Sequence, residues 1–114
     1  MSLLFEDLLA SIAKARGAIA RGDVALKCSA IGKAVRIVDE GLKAPLDLKA
    51  GGSLALSLRE LYDYMQRRLT HANLRSDDAA LAECARLTET LREGWEGIAE
   101  QVRPARAVAA VEAA

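Results

Sequence analysis

The side chains that could do chemistry in this sequence are few and scattered. His71 is the only histidine, and Cys28 and Cys84 stand far apart rather than in a CxxC pair. A lone imidazole can accept a phosphoryl group if a cation supports it, and Arg75 follows His71 by about one helical turn. Zinc would need more clustered His and Cys ligands, and a di-iron bundle would need inward Glu-x-x-His pairs that are missing here. Gly51-Gly52 lacks the lysine and the preceding strand of a phosphate loop, and no nucleophile has a base at a telling position. The expectation is no enzyme, no metal and no cofactor. Glu6, Asp7, Asp39, Glu40, Glu83, Glu89, Glu93 and Glu96 lie mostly opposite the apolar seams and read as a solvated face.

The most telling run is Leu61-Tyr62-Asp63-Tyr64-Met65, continued by Arg67-Arg68-Leu69 and Ala72-Asn73, because it places both tyrosines on one helix. Phe5 and Trp95 are the only other rings. Tyrosine offers a large apolar face but needs its hydroxyl wet or paired, which suits a surface that receives a partner. The plainer alternative is that Tyr62 packs in the core and Tyr64 lies on the surface.

The elements that must position these residues follow from composition. A chain of 114 residues makes one domain, and 52% apolar against 4% aromatic residues calls for a core of Leu, Ala, Ile and Val packed helix on helix. Sixteen basic residues balance sixteen acidic ones, so the basic stripe of a nucleic-acid binder is absent. No run reaches the roughly 18 apolar residues of a membrane span, and no basic region with an apolar run and cleavage site opens the chain. The expected setting is a reducing cytoplasm, with both thiols as small buried groups and a Cys28–Cys84 disulfide left open.

Periodicity then predicts an all-α, antiparallel up-down four-helix bundle, with helices over about 3–20, 24–43, 53–73 and 77–102. Phe5, Leu8, Ile12, Ala15 and Ile19 form the first seam. After Arg21-Gly22-Asp23, with Asp23 as cap, the second helix carries Val24, Cys28, Ile31, Val35, Val38 and Leu42. Its offset line Ala30, Ala34, Ile37 and Gly41 is mostly small and reads as a shallow groove for another helix. Residues 44–52, with Pro45 and Gly51-Gly52, form the longest connection, and Ser53 is the expected cap of the third helix. That helix has the seam Leu54, Leu58, Leu61, Met65, Leu69 and Ala72. Ser76, Asp77 and Asp78 start the fourth, with Leu87, Leu91, Trp95, Ile98 and Val102 inward, Gly94 marking a close approach, and Pro104 ending it. Residues 1–103 are thus one bundle domain and 104–114 a flexible, Ala-rich tail.

Taken in order, these residues resemble the flagellar secretion chaperones of the FliS family. The likeness covers nearly the whole chain. It is strongest at Leu58, Leu61-Tyr62-Asp63-Tyr64-Met65, Arg67-Arg68-Leu69 and Ala72-Asn73, with Leu87, Leu91-Arg92-Glu93 and Trp95 in the fourth helix. Ala15, Ala18-Ile19, Gly22-Asp23, Lys33-Ala34, Ile37 and Leu42 agree more loosely. The resemblance implies a cytosolic chaperone that binds the disordered C-terminal segment of flagellin, prevents premature polymerisation and delivers subunits to the flagellar export apparatus.

The contact set expected on that basis is Ala30, Ala34 and Ile37, with Leu58, Tyr62 and Met65 across from them. Family members usually carry a further N-terminal stretch with a tyrosine that covers part of the groove. This chain opens almost inside the first helix, which implies an open groove that a second copy could fill as a homodimer. Gly94 stands where the family more often has alanine. The alternative is a histidine phosphotransfer four-helix module with His71 as the phosphoacceptor.

Overall fold

The computed structural model describes the backbone of residues 2–113 and the side chains of residues 3–95. Helices α1 (Ser2–Arg21), α2 (Val24–Arg36), α3 (Leu48–Arg75) and α4 (Asp78–Ala113) pack as a ring in which every neighbour is antiparallel. The sequence expectation of an all-α bundle holds.

The two tight links explain themselves locally. Gly22 has φ +71, a left-handed conformation that glycine adopts without Cβ strain, and Asp23 then accepts from the Leu26 amide at 3.0 Å to cap α2. At the far end of α3, Ser76 takes φ 50 without being glycine. Lys27 holds it there: the ammonium donates to the Asn73 carbonyl at 2.9 Å and to Ser76 Oγ at 2.8 Å, a cation at the negative end of a helix. Asp77 Oδ1 then accepts from the Ala80 amide to start α4.

The helix expected to run through 43 changes character at Ile37. Residues Ile37–Lys43 wind as a π-helical segment, where Gly41 lets Leu4 come so near that a Cβ would lie 3.2 Å from its Cδ2. Val38 and Leu42 stay buried through the change. The third helix also starts earlier than Ser53. Asp47 is its cap, accepting at Oδ1 from the amides of Lys49 and Ala50 at 3.1 and 3.0 Å. A single turn forms before Gly52, at φ 56 and ψ −135, kinks the chain and the main shaft begins.

Helix α4 runs past the expected stop at Pro104 to Ala113. A helical proline loses one hydrogen bond, but the alanines beyond it have the highest helix propensity. Its length of about 54 Å at 1.5 Å per residue accounts for the 57 Å long axis of the molecule. The inward positions expected for Ile98 and Val102, and the flexibility expected of 104–114, lie outside the described side chains.

The core corrects the second helix most. Lys27, Ala30, Ile31 and Ala34 are buried in α2, whereas Val24 and Cys28 are exposed. Both expected lines reach the core: Ile31, Val38 and Leu42 of the first and Ala30 and Ala34 of the second are buried, Val35 and Ile37 are half-buried, and only Val24 and Cys28 of the first line turn outward. Both cysteines are free thiols. Buried Cys84 has its pKa pushed up to about 11 by desolvation, so at neutral pH it is an inert apolar group.

Candidate partner-binding groove

Helix α1 is 20 residues long, α3 is 28 and α4 is 36. The seams of α3 and α4 emerge near Phe5 of α1. There they line a cavity of about 220 Å³ bounded by Leu54, Leu58, Leu61 and Tyr62 of α3 and by Leu87, Thr90, Leu91, Gly94 and Trp95 of α4. Among the described residues no charged side chain lines it. It adjoins a cavity of about 510 Å³ walled by Pro45, Leu46, Asp47 and Ala50, and the two share Phe5, Leu54, Leu58, Tyr62 and Trp95. Leu54 is 59% exposed and Trp95 40%, although both seams were expected to point inward. A contiguous apolar patch of this kind marks a binding surface more often than a lone exposed leucine does.

Of the six residues expected to contact a partner, the structure brings Leu58 and Tyr62 together in this groove. Tyr62 is 5% exposed, and burial pushes its phenol pKa up. Ala30, Ala34 and Met65 are sealed in the core behind it, and Ile37 is half-buried against the core outside the groove. The residues the sequence reading left out are Phe5, Leu54, Leu61, Leu87, Leu91 and Trp95, all assigned there to core seams. Gly94 is corrected as well: a Cβ built on it meets nothing within 4 Å, so it marks open space at the groove wall and not a close approach.

A polar clamp closes the groove at its inner end. Glu83 of α4 accepts from Tyr64 Oη and from Arg68 Nε, each at 2.7 Å, and the Arg67 guanidinium lies 5.9 Å over the Tyr64 ring. These two donors hold the Glu83 carboxyl below its ordinary pKa, Tyr64 contributing most. Glu83 is thus a half-buried bridge and not part of a solvated face. Tyr64 and Glu83 are each about one helical turn from the groove residues Leu61 and Leu87, so the clamp fixes the spacing of α3 and α4 where the cavity ends.

Elsewhere exposed apolar side chains such as Leu3, Val24 and Leu74 line neither cavity, and ion pairs cross between helices. The Arg16 guanidinium donates to both Asp78 oxygens, at 2.8 and 3.0 Å, across a shallow hollow between α1 and the start of α4. Lys43 pairs with Asp63, which lowers that carboxyl's pKa. His71 is exposed with Nε2 3.2 Å from Asp77 Oδ2, so the nearest charged group is an anion and not the cation a phosphoryl group would need. Among the described residues no cluster of three His, Cys, Asp or Glu side chains is arranged for a metal, and no helix is long and apolar enough to cross a membrane.

Comparison with known proteins places these features in a family. The family described as flagellar protein FliS matches residues 1–102. The chain is 44% identical over 98 residues to the flagellar secretion chaperone FliS of Salmonella typhimurium, covering 86% of this chain and 73% of that one. It is 41% identical over 98 residues to the flagellar secretion chaperone FliSB of Pseudomonas aeruginosa, covering 86% and 77%. The corresponding chaperone of Bacillus subtilis is 31% identical over 104 residues, covering 91% and 76%. A likeness that spans the bundle from α1 into α4 at this level means that the chain belongs to the FliS family of flagellar proteins.

Proposed function

We propose that this chain is a cytoplasmic export chaperone that holds the disordered C-terminal segment of flagellin, keeps subunits from polymerising early and hands them to the flagellar export apparatus. The observation that carries this reading is the uncharged apolar groove between α3 and α4, open beside Phe5. A segment that is disordered alone can fold there as an amphipathic helix, burying its apolar face at an ordering cost of about 2–5 kcal/mol. Binding of this kind needs no catalytic group and no cofactor.

Leu58 and Tyr62 are the partner contacts we retain from the six expected. Ala30, Ala34 and Met65 are core residues that line neither cavity, and Ile37 packs against the core outside the groove. The histidine phosphotransfer alternative loses its support in the pairing of His71 with Asp77. Replacing His71 by Gln is expected to leave partner binding unchanged.

The test is calorimetric titration of the monomeric chain with a C-terminal flagellin peptide, with circular dichroism followed in parallel. Saturable binding with a negative heat-capacity change and a gain of helix is the expected result. Absence of binding by a folded, monomeric sample would refute the reading.

A further inference from the structure

The segment between the π-helical stretch and the main shaft of α3 forms one side of the larger cavity. Pro45, Leu46, Asp47, Ala50 and Gly51 line it, facing Leu54, Leu58, Tyr62 and Trp95. Little holds this wall in place. Leu46 is half-buried against the core, but Ala44, Pro45 and all residues from Asp47 to Leu54 are exposed. Asp47 caps it, accepting from Lys49 and Ala50 at the side chain and from Gly51 at the carbonyl at 2.7 Å, and the Leu46 amide donates to the Lys43 carbonyl at 3.1 Å. Segments with little apolar burial sit at the low end of local stability and open first.

Two adjacent glycines join this wall to the shaft for two different physical reasons. At Gly51 the constraint is space, since a Cβ there would lie 2.6 Å from the Ala55 Cβ. At Gly52 it is conformation, since a Cβ would meet nothing within 4 Å but φ 56 and ψ −135 lie outside the left-handed well that other residues visit. The inward position of the wall therefore depends on one backbone conformation that only glycine holds without strain. With ordinary helical angles at Gly52, the turn Leu48–Gly51 would continue along the axis of α3 instead of folding beside it.

We infer that residues Pro45–Gly51 are a movable wall of the groove and that Gly52 is its hinge. Because the two cavities share their central lining, withdrawing the wall lengthens the apolar surface that an incoming helix can cover. This rests on the groove-binding function proposed above, and it adds a device that sets how much of the groove is open. Gly52 touches no partner; it acts through the wall and is a positioning residue.

The test uses the full chain with Gly52→Ala, which disfavours the folded-back conformation. Trp95 is the only tryptophan and lines the cavity opposite the wall, so it reports the change without any ligand. The expected result is red-shifted emission and stronger acrylamide quenching, with tighter binding of the flagellin C-terminal peptide. A wall open about one-tenth of the time would give about a tenfold gain in apparent affinity, the inverse of the open fraction. Unchanged Trp95 emission and quenching in the folded variant would overturn the hinge, whatever the peptide does. If the parent chain binds no peptide while the Trp95 changes appear, the hinge stands and the proposed ligand falls.

Should the variant fail to fold, hydrogen exchange of the parent chain decides. Amides of Lys49, Ala50 and Gly51 exchanging far faster than those of residues 58–70 support a movable wall. Equal protection would refute it.

Discussion

At the end of the bundle where α2 begins and α3 stops, Ala18, Leu69, Ala72 and Leu81 have no exposed surface at all. At the opposite end Phe5, Leu54, Leu58 and Trp95 surround open space. Both ends are built from the same residue types at the same helical spacing. What differs is coverage: at the sealed end neighbouring helices lie over the seams, and at the open end the seams of α3 and α4 border a cavity. The difference teaches that a seam is a core only where a neighbour lies over it, and that the same pattern continued past the neighbour becomes a binding surface.

If that contrast is correct, equal truncations should fail in different ways at the two ends. Leu69→Ala leaves a cavity in the sealed half and is expected to cost about 2–5 kcal/mol of stability in urea unfolding. Partner binding by the fraction that remains folded should be unchanged. A loss below about 1 kcal/mol would mean that the sealed end is looser than its burial indicates.

Leu54→Asp probes the open end, and its effect should fall on the other readout. The side chain is mostly exposed, so unfolding should shift by less than about 0.5 kcal/mol. An apolar contact at the groove mouth replaced by a charge should weaken the flagellin peptide by at least about tenfold in calorimetry. Stability loss without binding loss would place Leu54 in the core and sink the comparison.

Gly94→Leu sharpens the same point with effects of opposite sign. A helical glycine replaced by leucine gains up to about 1 kcal/mol of helix propensity, and nothing lies within 4 Å of the new Cβ to oppose it. The added side chain points into the groove wall, so the thermal midpoint should rise while peptide affinity drops by about threefold or more. Both rising together would mean that Gly94 lies outside the occupied surface.

Much of the fold was legible from spacing alone, because Phe5, Leu8, Ile12 and Ala15 or Met65, Leu69 and Ala72 recur at three and four residues and are buried as that period demands. The cap Asp23 was legible too, since a short acid before an apolar run has few other local uses, and the start of α4 was narrowed to Ser76–Asp78, of which Asp77 accepts the Ala80 amide. The start of α2 was not. Ile31, Val38 and Leu42 of its expected seam are buried, but Val24 and Cys28 are exposed and Lys27, which reads as a surface residue, is buried in their stead because its ammonium closes the end of α3. The π-helical stretch over Ile37–Lys43 leaves Val38 and Leu42 buried as an α-helix would, so the seam hides it. Trp95 and Leu54 were misplaced because periodicity gives the direction of a side chain around its helix and not whether a neighbour reaches that far along it.

The smallest effect concerns the clamp that separates the two regimes along α3 and α4. Tyr64 and Arg68 hold the Glu83 carboxyl below its unfolded pKa, so the ionised form favours the folded state. That contribution is present above the unfolded pKa and is lost as pH falls through the lower folded value. Glu83→Gln should therefore flatten the acid limb of the stability profile and lower the thermal midpoint at neutral pH by only about 2 °C, since half-exposed ion pairs contribute little and are screened by salt. The groove should respond more than the fold does. Without the clamp α3 and α4 can separate beside Leu61 and Leu87, and Trp95 quenching should increase even where the midpoint barely moves. A clamp that merely decorates the surface would leave the quenching of Trp95 unchanged.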